Sequence, residues 1–420
     1  MPKNLIHTKP TAASIKSNGK VPAKIIKELR ADILNHLESL QLPRLKDGKY
    51  TTLSKASIRA SHAPQRSDVF DLQYKTLAPY WGKLIENFAN GNEITPSAID
   101  PELVLVSSDD ETGYLFRFAS LIWSVPVSHG YGRRMRFLVR DRSNGKLIGI
   151  FALGDPVFNL QARDKWIGWD VNDRRARLVN VMDAYVVGAV PPYSQLLGGK
   201  LVASLIGSKE VSKIFSSRYG KTRGIISGEK KSAHLSLVTI TSALGHSSIY
   251  NRLKLYSKTS SKEDKPLVEL IKIGETVGYG HFHLSNSIFE RIRTLLEIED
   301  HPYASSHKFG QGPNWRWRVI RVGLKRVGLD EELLRHGIAR EIYAMPLAEN
   351  FQKYLCGEVK KPSLHRPPLS DIVQAALERW VLPRSERKLE YKSWQREDLM
   401  ELIQSHQPNS SLINNEFGIR

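Results

Sequence analysis

A glycine turn between a predicted strand and a predicted helix is the segment of this chain best suited to binding an anion. Residues 185–190 form a β-branched apolar run that ends at two prolines, and an apolar pattern at helical spacing begins at Leu201. A turn in this position directs backbone N–H groups and the positive end of the helix dipole toward one point. We therefore predict phosphate binding by four residues, Gln195, Gly198, Gly199 and Lys200. A tight turn that uses glycine only for its backbone freedom is the alternative.

The same turn resembles the acyl-CoA-binding element of the GNAT acyltransferases. In that element Gln or Arg is followed by two residues, Gly, one further residue, and then Gly or Ala. Gln195, Gly198 and Gly199 fit the early part of this pattern, whereas Lys200 stands where Gly or Ala belongs. The resemblance implies a GNAT-like core and an acyl-CoA-like donor as cofactor. The side chain of Lys200 either crowds a pyrophosphate in this position or meets it with its own positive charge.

Tyr250 is the residue that the GNAT resemblance suggests as a general acid. It follows a β-rich run at 235–241 after a short loop. GNAT enzymes often use a tyrosine in a comparable late position to protonate the leaving thiolate, and a tyrosine with a pKa of about 10 can do this. An aromatic core residue whose hydroxyl bonds to a backbone carbonyl is the alternative.

His281 and His283 are the candidates for a catalytic base. They are two residues apart, so on a strand they would face the same side. The same spacing suits two imidazole ligands of one metal ion. A third ligand would have to be a residue such as Asp183, His246 or His301, and the sequence does not complete the set, so we predict no metal site. Polar histidines with satisfied hydrogen bonds in a packed strand are the alternative.

Tryptophans and arginines alternate in residues 314–318, which predicts contact with nucleic acid. Aromatic rings stack on unpaired bases, and arginines neutralise phosphates. On an extended segment the polar residues would share one face and the tryptophans the other. The predicted contacts are Asn314, Arg316 and Arg318, together with the basic pair Arg133 and Arg134. In the alternative, the tryptophans pack inside the protein and the arginines face solvent.

The charge of the chain also predicts a polyanionic partner, which we expect to be nucleic acid and DNA in particular. The chain has 62 Lys and Arg against 43 Asp and Glu, a net charge of +19. The excess is uneven, because residues 1–66 hold 13 Lys and Arg against 4 Asp and Glu. This asymmetry favours a basic arm that faces nucleic acid. A basic protein without such a partner is the alternative.

Several classes of protein are disfavoured by what the sequence lacks. The single cysteine, Cys356, excludes an internal disulfide and argues against a cysteine-based zinc site. No apolar run is long enough to span a membrane and no apolar signal segment begins the chain, so we expect a soluble, cytoplasmic protein without a membrane partner. The sequence contains no Walker A loop, so any ATP-driven motor would belong to a partner.

Hydrophobic periodicity predicts an α/β or α+β fold with a central mixed sheet and flanking helices. An amphipathic helix is expected over 22–40 and a β-hairpin over 135–153. Extended or buried apolar segments are expected at 103–106, 115–123, 165–169, 177–190, 235–241 and 268–274. Further helices are expected at 74–90, 201–215, 247–255, 289–296, 319–327 and 372–380. The predicted organisation is a flexible basic tail (1–21), a basic helical module (22–98), an α/β core (99–355) and a variable C-terminal tail (356–420).

Eight long and unusual sequence blocks occupy the centre of the chain. They are WSVPVSHGYGRR (123–134), LIGIFALGDPVFNL (147–160), RDKWIGW (163–169), VMDAYVVGAVPPY (181–193), TSALGHSSIYNRL (241–253), GYGHFH (278–283), GPNWR (312–316) and HGIAR (336–340). Through these blocks the chain resembles the DruA proteins of Druantia anti-phage systems, over roughly residues 20–355. The resemblance implies bacterial defence against phage together with a large helicase-like partner and other proteins of the same system. It implies no particular chemistry.

Two interpretations of function remain open at this point. In the first, a defence component binds nucleic acid and also transfers an acyl-type group, with the glycine turn holding the donor, Tyr250 as the acid and His281 or His283 as the base. In the second, a non-catalytic adaptor recognises DNA and recruits the helicase-like partner. A metal-dependent nuclease centred on the two histidines is a third hypothesis.

Overall fold

The computed structural model describes residues 21–40, 54–108, 110–128, 130, 132–223, 228, 230–258, 265–305 and 313–405, without the side chains of residues 222, 223, 230, 231, 313 and 314. The tail predicted at 1–21 lies outside these ranges apart from Val21. The chain folds into two compact units. The helical unit is drawn from Met1–Lys49 and Tyr279–Gly337, and the sheet unit from Tyr50–Gly278 and Ile338–Arg420. This division crosses the predicted module boundaries, because helices far apart in sequence pack together in the helical unit.

Among the described residues, one seven-stranded mixed sheet forms the centre of the sheet unit. Its strands are β1 (Pro101–Leu105), β2 (Arg134–Asp141), β3 (Leu147–Gly154), β4 (Val181–Ala189), β5 (Leu237–Thr241), β6 (Ile271–Glu275) and β7 (Glu341–Pro346). Their spatial order is β1-β2-β3-β4-β5-β7-β6. The β4–β5 pair is parallel, and the other neighbouring pairs are antiparallel. The predicted mixed sheet with flanking helices is confirmed.

β2 and β3 form the hairpin predicted at 135–153, and Asp141 closes its turn. The Asp141 carboxylate accepts hydrogen bonds from the backbone N–H groups of Ser143 and Asp100, both at 3.0 Å. It also accepts a hydrogen bond from the Tyr193 hydroxyl at 2.8 Å. A buried carboxylate is tolerated only with such partners. Asp141 therefore ties the hairpin to the start of β1 and to the segment that follows β4.

β4 departs from regular pairing at both of its edges. Its parallel pairing with β5 runs only from Val181 to Asp183, so within the described structure the two strands separate beyond Asp183. On the other edge, Ala152 pairs with Val186 and Leu153 with Ala184, which leaves Tyr185 as the extra residue of a β-bulge. A bulge changes the direction of side chains locally and is common beside functional sites.

Helices cover both faces of the sheet. The α-helices of the described chain are α1 (Ala23–Ser39), α2 (Lys55–Ser61), α3 (Ala63–Leu77), α4 (Trp81–Ile85), α5 (Glu111–Ser120), α6 (Gln161–Ile167), α7 (Val171–Arg177), α8 (Gly198–Leu205), α9 (Lys209–Tyr219), α10 (Asn286–Ile298), α11 (Pro313–Arg326), α12 (Phe351–Leu355), α13 (Leu369–Ala376), α14 (Leu382–Arg387) and α15 (Asp398–Ser405). One core joins the sheet to α8, α9 and α13. A second core joins the opposite face to α3, α4, α5 and α15.

Two segments are helical where the sequence predicted an extended or buried apolar piece at 115–123 and an extended piece at 165–169. Residues 115–120 belong to α5, and residues 165–167 belong to α6. α5 starts at Asp110, whose carboxylate accepts hydrogen bonds from the N–H groups of Thr112 (2.8 Å) and Gly113 (3.2 Å), as a good N-cap residue does. This cap favours a helix although the segment is rich in aromatic residues. The helix predicted at 247–255 is also wrong, since residues 248–252 form turns and Lys254–Leu255 is a short strand.

The described residues after 356 are integral to the core of the sheet unit. Ile372 and Ala376 of α13 are fully buried, as are Leu399 and Ile403 of α15. Full burial of a large aliphatic side chain contributes about 1.5–3 kcal/mol, so these helices stabilise the fold. The two helices therefore belong to the core of the sheet unit, and the variability of residues 356–420 stays a prediction.

In the helical unit, α1, α10 and α11 pack around one apolar core. α1 confirms the helix predicted at 22–40, and its Leu29 and Ile33 are buried. α10 and α11 approach each other closely at Gly323, where an added Cβ atom would lie 2.1 Å from the side chain of Ile292. Glycine at this position therefore allows the two helices to pack.

Candidate functional site

Arg134 and Arg136 lie on the same face of β2, because alternate side chains of a strand point to the same side. Met135 and Phe137, which alternate with them, are fully buried in the core. The carbonyl of Arg136 accepts a hydrogen bond from the N–H of Val106 at 2.8 Å. This bond brings the residues that follow β1 beside the two arginines.

A polar cleft of about 480 Å³ opens where β1 ends and β2 begins. Arg136 donates a hydrogen bond to the hydroxyl of Ser108 at 2.8 Å across its floor. We call it the arginine cleft, and it is lined by Leu105, Val106, Ser107, Ser108, Gly132, Arg134, Arg136, Arg218 and Tyr219. The Tyr219 hydroxyl of α9 donates to the carbonyl of Arg134 (2.9 Å) and accepts from its N–H (3.1 Å), which fixes the start of β2 at the cleft.

A second cavity, of about 300 Å³, adjoins the arginine cleft and shares Ser108, Arg134 and Arg136 with it. Its walls are more apolar. We call it the aromatic recess, and its other lining residues are Arg66, Val69, Gln73, Phe116, Arg117, Ser120, Leu121, Trp123, Pro126, Val127, Ser128 and Tyr185. The indole of Trp123 packs directly on Gly188 of β4, where a Cβ atom would lie 2.5 Å from it. That glycine therefore sets the position of the indole.

The bulge in β4 places Tyr185 in the wall of the aromatic recess. Its ring packs against Gly130 and Gly154, where added Cβ atoms would lie 2.6 and 3.1 Å from the ring. Its hydroxyl has no hydrogen-bond partner among the described residues. Burial raises the pKa of this hydroxyl to about 12, although the positive charges of Arg136 and Arg134 lower it. Tyr185 is therefore neutral at pH 7 and can donate or accept one hydrogen bond to a ligand.

Five arginines and no aspartate or glutamate line the cleft and the recess in the part of the chain that the structure describes. Arg66 donates to the carbonyl of Leu121 (3.1 Å), and burial lowers its pKa to about 10, so it remains charged at pH 7. Arg117 lies over the ring of Tyr114 at 4.8 Å. A concave surface lined by charges of one sign concentrates the electrostatic potential. The pair of cavities therefore suits a ligand with phosphate groups, which guanidinium groups bind bidentately.

Arg133 and Arg134, the predicted basic pair, have different environments. Arg133 donates to Asp155 at 2.7 Å and to the carbonyls of Val179 (2.7 Å) and Val181 (3.3 Å). Its side chain is only 15% exposed, so it connects β2 to the start of β4 as a structural ion pair. Of the pair, only Arg134 lines the arginine cleft.

The glycines of the predicted anion-binding turn lie in close packing. A Cβ atom at Gly198 would lie 2.5 Å from the carbonyl oxygen of Tyr193, and one at Gly199 would lie 3.0 Å from the side chain of Ile249. Seven of the eight residues of α8 are buried, so the start of this helix is enclosed. Both glycines therefore admit close neighbours in the described structure.

The Lys200 ammonium of the same turn also has protein partners. The Lys200 ammonium donates to the carbonyls of Ile249 (3.0 Å) and Asn251 (3.4 Å), and burial lowers its pKa. It lies 5.6 Å from the ring centroid of Trp380. The backbone N–H of Gln195 donates to the carbonyl of Pro192 at 3.0 Å. The side-chain oxygen of Gln195 is buried without a partner in the described structure.

Tyr250 is a buried residue of the sheet core. Its ring packs edge-to-face on Tyr343 at 5.6 Å. Burial raises the pKa of its hydroxyl, and the nearby charge of Asp183 adds to this effect. A raised pKa makes the hydroxyl a weaker acid, and a general acid must also reach its substrate. These surroundings match the aromatic core residue of the alternative, and the hydrogen bond from its hydroxyl to a carbonyl stays a prediction.

His281 and His283 belong to the helical unit, whereas Tyr250 belongs to the sheet unit. The histidines lie in a turn rather than on a strand, so the predicted common face is wrong. His283 donates from Nε2 to the carbonyl of Leu333 at 2.9 Å, and its Nδ1 has no partner among the described atoms. Burial lowers the pKa of both histidines to about 4. A base with so low a pKa is poorly matched to proton transfer near pH 7.

Residues 314–318 belong to α11, so the extended arrangement predicted for them is wrong. The side chain of Asn314 lies outside the described part. Arg316 donates to Asn286 and to the carbonyl of Leu284, both at 3.0 Å, whereas Arg318 is exposed and lies over Tyr303. On a helix, residues two apart do not share a face. The helical unit therefore presents Arg318 to solvent and uses Arg316 for its own packing.

No group of three histidine, cysteine, aspartate or glutamate side chains is placed to hold a metal ion within the ranges that the structure covers. Within the same ranges, no helix is long and apolar enough to cross a membrane.

Comparison with known proteins decides the family. The family described as "Druantia protein DruA" matches residues 52–357. The Druantia protein DruA of Escherichia coli (strain UMEA 4076-1) is 45% identical over 379 residues, which cover 90% of this chain and 92% of the relative. The chain belongs to the DruA family. No solved structure matches it. The arginine cleft and the aromatic recess both lie inside the region that matches the DruA family.

Reasoning from the sequence missed most of this site. Arg136, Arg218, Ser108 and Tyr185 were not singled out, although the alternation of Arg134 and Arg136 with buried residues was a usable signal. Ser108 follows one strand, Arg218 ends a helix, and Tyr185 depends on a bulge. No sequence spacing joins these positions, because each comes from a different element.

Proposed function

We propose that this member of the DruA family binds the phosphate backbone of nucleic acid in the arginine cleft, as a component of a Druantia anti-phage defence system. The observation that carries the proposal is the set of five arginines, with no acidic residue, that lines two adjoining cavities of the described structure. The net charge of +19 supports it, because a strong positive field raises the rate of encounter with a polyanion. DNA is the expected ligand.

The test is binding of a fluorescent oligonucleotide, measured by anisotropy, to a double variant with Arg134→Glu and Arg136→Glu. Loss of two charge-assisted contacts should weaken binding by roughly 100-fold, equivalent to about 3 kcal/mol. The matched control carries Arg387→Glu and Lys361→Glu, which make the same change of net charge at exposed residues outside the cleft. Equal losses in the two double variants would show that the effect is one of overall charge and would overturn the proposal.

GNAT-like group transfer is the second candidate function. It is supported by the parallel β4–β5 pair, which separates beyond Asp183 and so has the opening expected beside a GNAT-like donor site. In this function the residues Gln195, Gly198, Gly199 and Lys200 would hold the donor phosphates, Tyr250 would be the acid, and His281 or His283 the base. The packing of Ile249 and Lys200 at this opening argues against it.

Calorimetric titration with acetyl-CoA tests group transfer directly. A GNAT-like donor site should bind acetyl-CoA, and Lys200→Glu should weaken that binding while oligonucleotide binding persists. A wild-type chain that takes up no acetyl-CoA, together with intact phage protection in the Lys200→Glu variant, would reject this candidate.

The non-catalytic adaptor is the alternative role for the same DNA-binding surface. In this role the chain, once bound to DNA, recruits the helicase-like protein of the system. Co-purification of that protein with the wild-type chain, and loss of DNA-dependent co-purification in the cleft double variant, is the expected result. The exposed Arg318 belongs to the same test, because its reversal should weaken nucleic-acid binding if the helical unit also contacts the strand.

A further inference from the structure

We infer that the aromatic recess holds one unpaired nucleobase of the strand whose phosphate lies in the arginine cleft. The inference rests on the proposed function and adds to it a preference for unpaired over paired nucleic acid. A ligand that occupies both cavities must carry an anionic group and a flat, mostly apolar group with a polar edge. A nucleotide has this composition.

The two cavities differ in character as the two parts of a nucleotide do. The arginine cleft is strongly polar, with Ser107, Ser108 and Arg218 on its walls. The aromatic recess has apolar walls that include Phe116, Trp123 and Val127. Because the cavities share residues of the β2 face, a base and its own phosphate can occupy them together. Small-ligand sites are usually apolar cavities with a few placed polar groups, and the recess has this form.

The hydroxyl of Tyr185 supplies the polar group of the recess. It has no partner among the described residues, and its pKa is raised, so it stays protonated at neutral pH. A buried hydroxyl without a hydrogen bond is costly, and a ligand that bonds to it removes that cost. The edge of a nucleobase carries donors and acceptors that can make this bond. Stacking on an aromatic ring such as Trp123 adds affinity that is largely independent of sequence.

The recess cannot read a base that remains in a duplex. A paired base is stacked on both faces and bonded along its edge, so it must leave the helix before it can enter a cavity of a protein. Unpaired strands, ends and mismatches avoid much of this cost. The inference therefore predicts tighter binding of single-stranded nucleic acid than of a duplex of the same length.

The first experiment uses oligonucleotides with one 2-aminopurine, in single-stranded DNA, single-stranded RNA and duplex DNA. Fluorescence of the probe should change on binding to the single strands, as the base leaves its neighbours and enters the recess. The affinity for single-stranded nucleic acid should exceed that for the duplex by about 5- to 100-fold, the range expected for one stacked base. The DNA and RNA probes separate the two possible sources of the strand. Equal affinity for single strand and duplex would overturn the inference.

The second experiment fills the recess. Val127→Trp should remove the preference for single strands and the 2-aminopurine response, while Val277→Trp, at a 63% exposed valine outside the recess, should change neither. Tyr185→Phe is the second recess variant and serves if Val127→Trp proves unstable. It keeps the ring and removes only the hydroxyl, so it should weaken single-strand binding without loss of fold. Binding that depends on Arg134 and Arg136 but ignores both recess variants would overturn the base site and leave the proposed function intact. Binding that is unchanged by the substitutions at Arg134, Arg136, Val127 and Tyr185 would overturn both the base site and the proposed function.

Discussion

The glycine turn before α8 and the arginine cleft beside β2 both combine positive charge with backbone turns, yet they are built for different purposes. At the turn, Lys200 donates to two backbone carbonyls and the glycines admit close neighbours. At the cleft, Arg134, Arg136 and Arg218 line an open volume of about 480 Å³. The difference shows that a short motif specifies a backbone shape, whereas a binding site also needs space that neighbouring elements leave open.

The largest effect is expected at Asp183, on the strand that leads from the aromatic recess to the turn. Burial raises its pKa from 3.8 to about 6, although Thr239 donates to it at 2.7 Å. The folded state therefore holds this proton more tightly than the unfolded state, so stability should fall as the pH rises through about 6. Asp183→Asn cannot ionise and should gain up to about 3 kcal/mol relative to the wild type at pH 8.

Urea denaturation between pH 4 and 8.5 measures this gain. The difference between Asp183→Asn and the wild type should shrink as the pH falls below about 6, where the native aspartate is protonated. Glu386→Gln, at an exposed carboxylate of α14, is the control for the change of a carboxylate to an amide. A constant difference at every pH would contradict the prediction.

The next effect tests whether the turn is a packing element. Gly198→Ala should lower the free energy of unfolding by about 1–3 kcal/mol, because the new Cβ would meet a backbone oxygen at 2.5 Å. Gly82→Ala in α4 is the matched control, since its Cβ would meet nothing within 4 Å and alanine favours helix. Equal stability of the two variants would contradict the packing role of Gly198 and would favour a phosphate site at the turn.

One lysine variant and one arginine variant distinguish the glycine turn from the arginine cleft, because the first should change stability and the second oligonucleotide affinity. Lys200→Met should lower stability by about 1 kcal/mol, because two part-buried carbonyls lose their donor, and should leave oligonucleotide affinity nearly unchanged. Arg136→Met should do the opposite and weaken binding by about 10-fold, with little change in stability. Anisotropy and denaturation on the same preparations measure both quantities. A loss of affinity in the lysine variant would indicate that the turn binds the ligand too.

The smallest effect is expected at Arg218, at the edge of the arginine cleft. Arg218→Ala should reduce the slope of log affinity against log salt by about 1, the change expected for one phosphate contact. Arg387→Ala, outside the cleft, should leave the slope unaltered. Equal slopes for Arg218→Ala and the wild type would place the strand away from α9.

Prediction from the sequence succeeded where the local hydrophobic pattern fits one type of secondary structure only. The hairpin over β2 and β3 and the helix α1 follow from alternation and from helical spacing. It failed where one pattern fits two structures. The aromatic segment 115–120 and the residues 314–318 are helical, because capping and tertiary packing decided between helix and strand. The two histidines illustrate the same point, since a spacing of two has meaning only on a strand.

Arg133 and Arg134 show most clearly which properties follow from the sequence and which from the tertiary structure. The sequence by itself determined that the chain is strongly basic, that it has a mixed α/β fold and that it belongs to the DruA family, because charge, periodicity and long sequence blocks are properties of the chain. Only the tertiary structure decided that Arg133 is bound to Asp155 while its neighbour lines a cleft. The cleft and the recess depend on a bulge, a strand end and a helix end that meet in space. Contacts between such distant segments leave no periodic trace in the sequence.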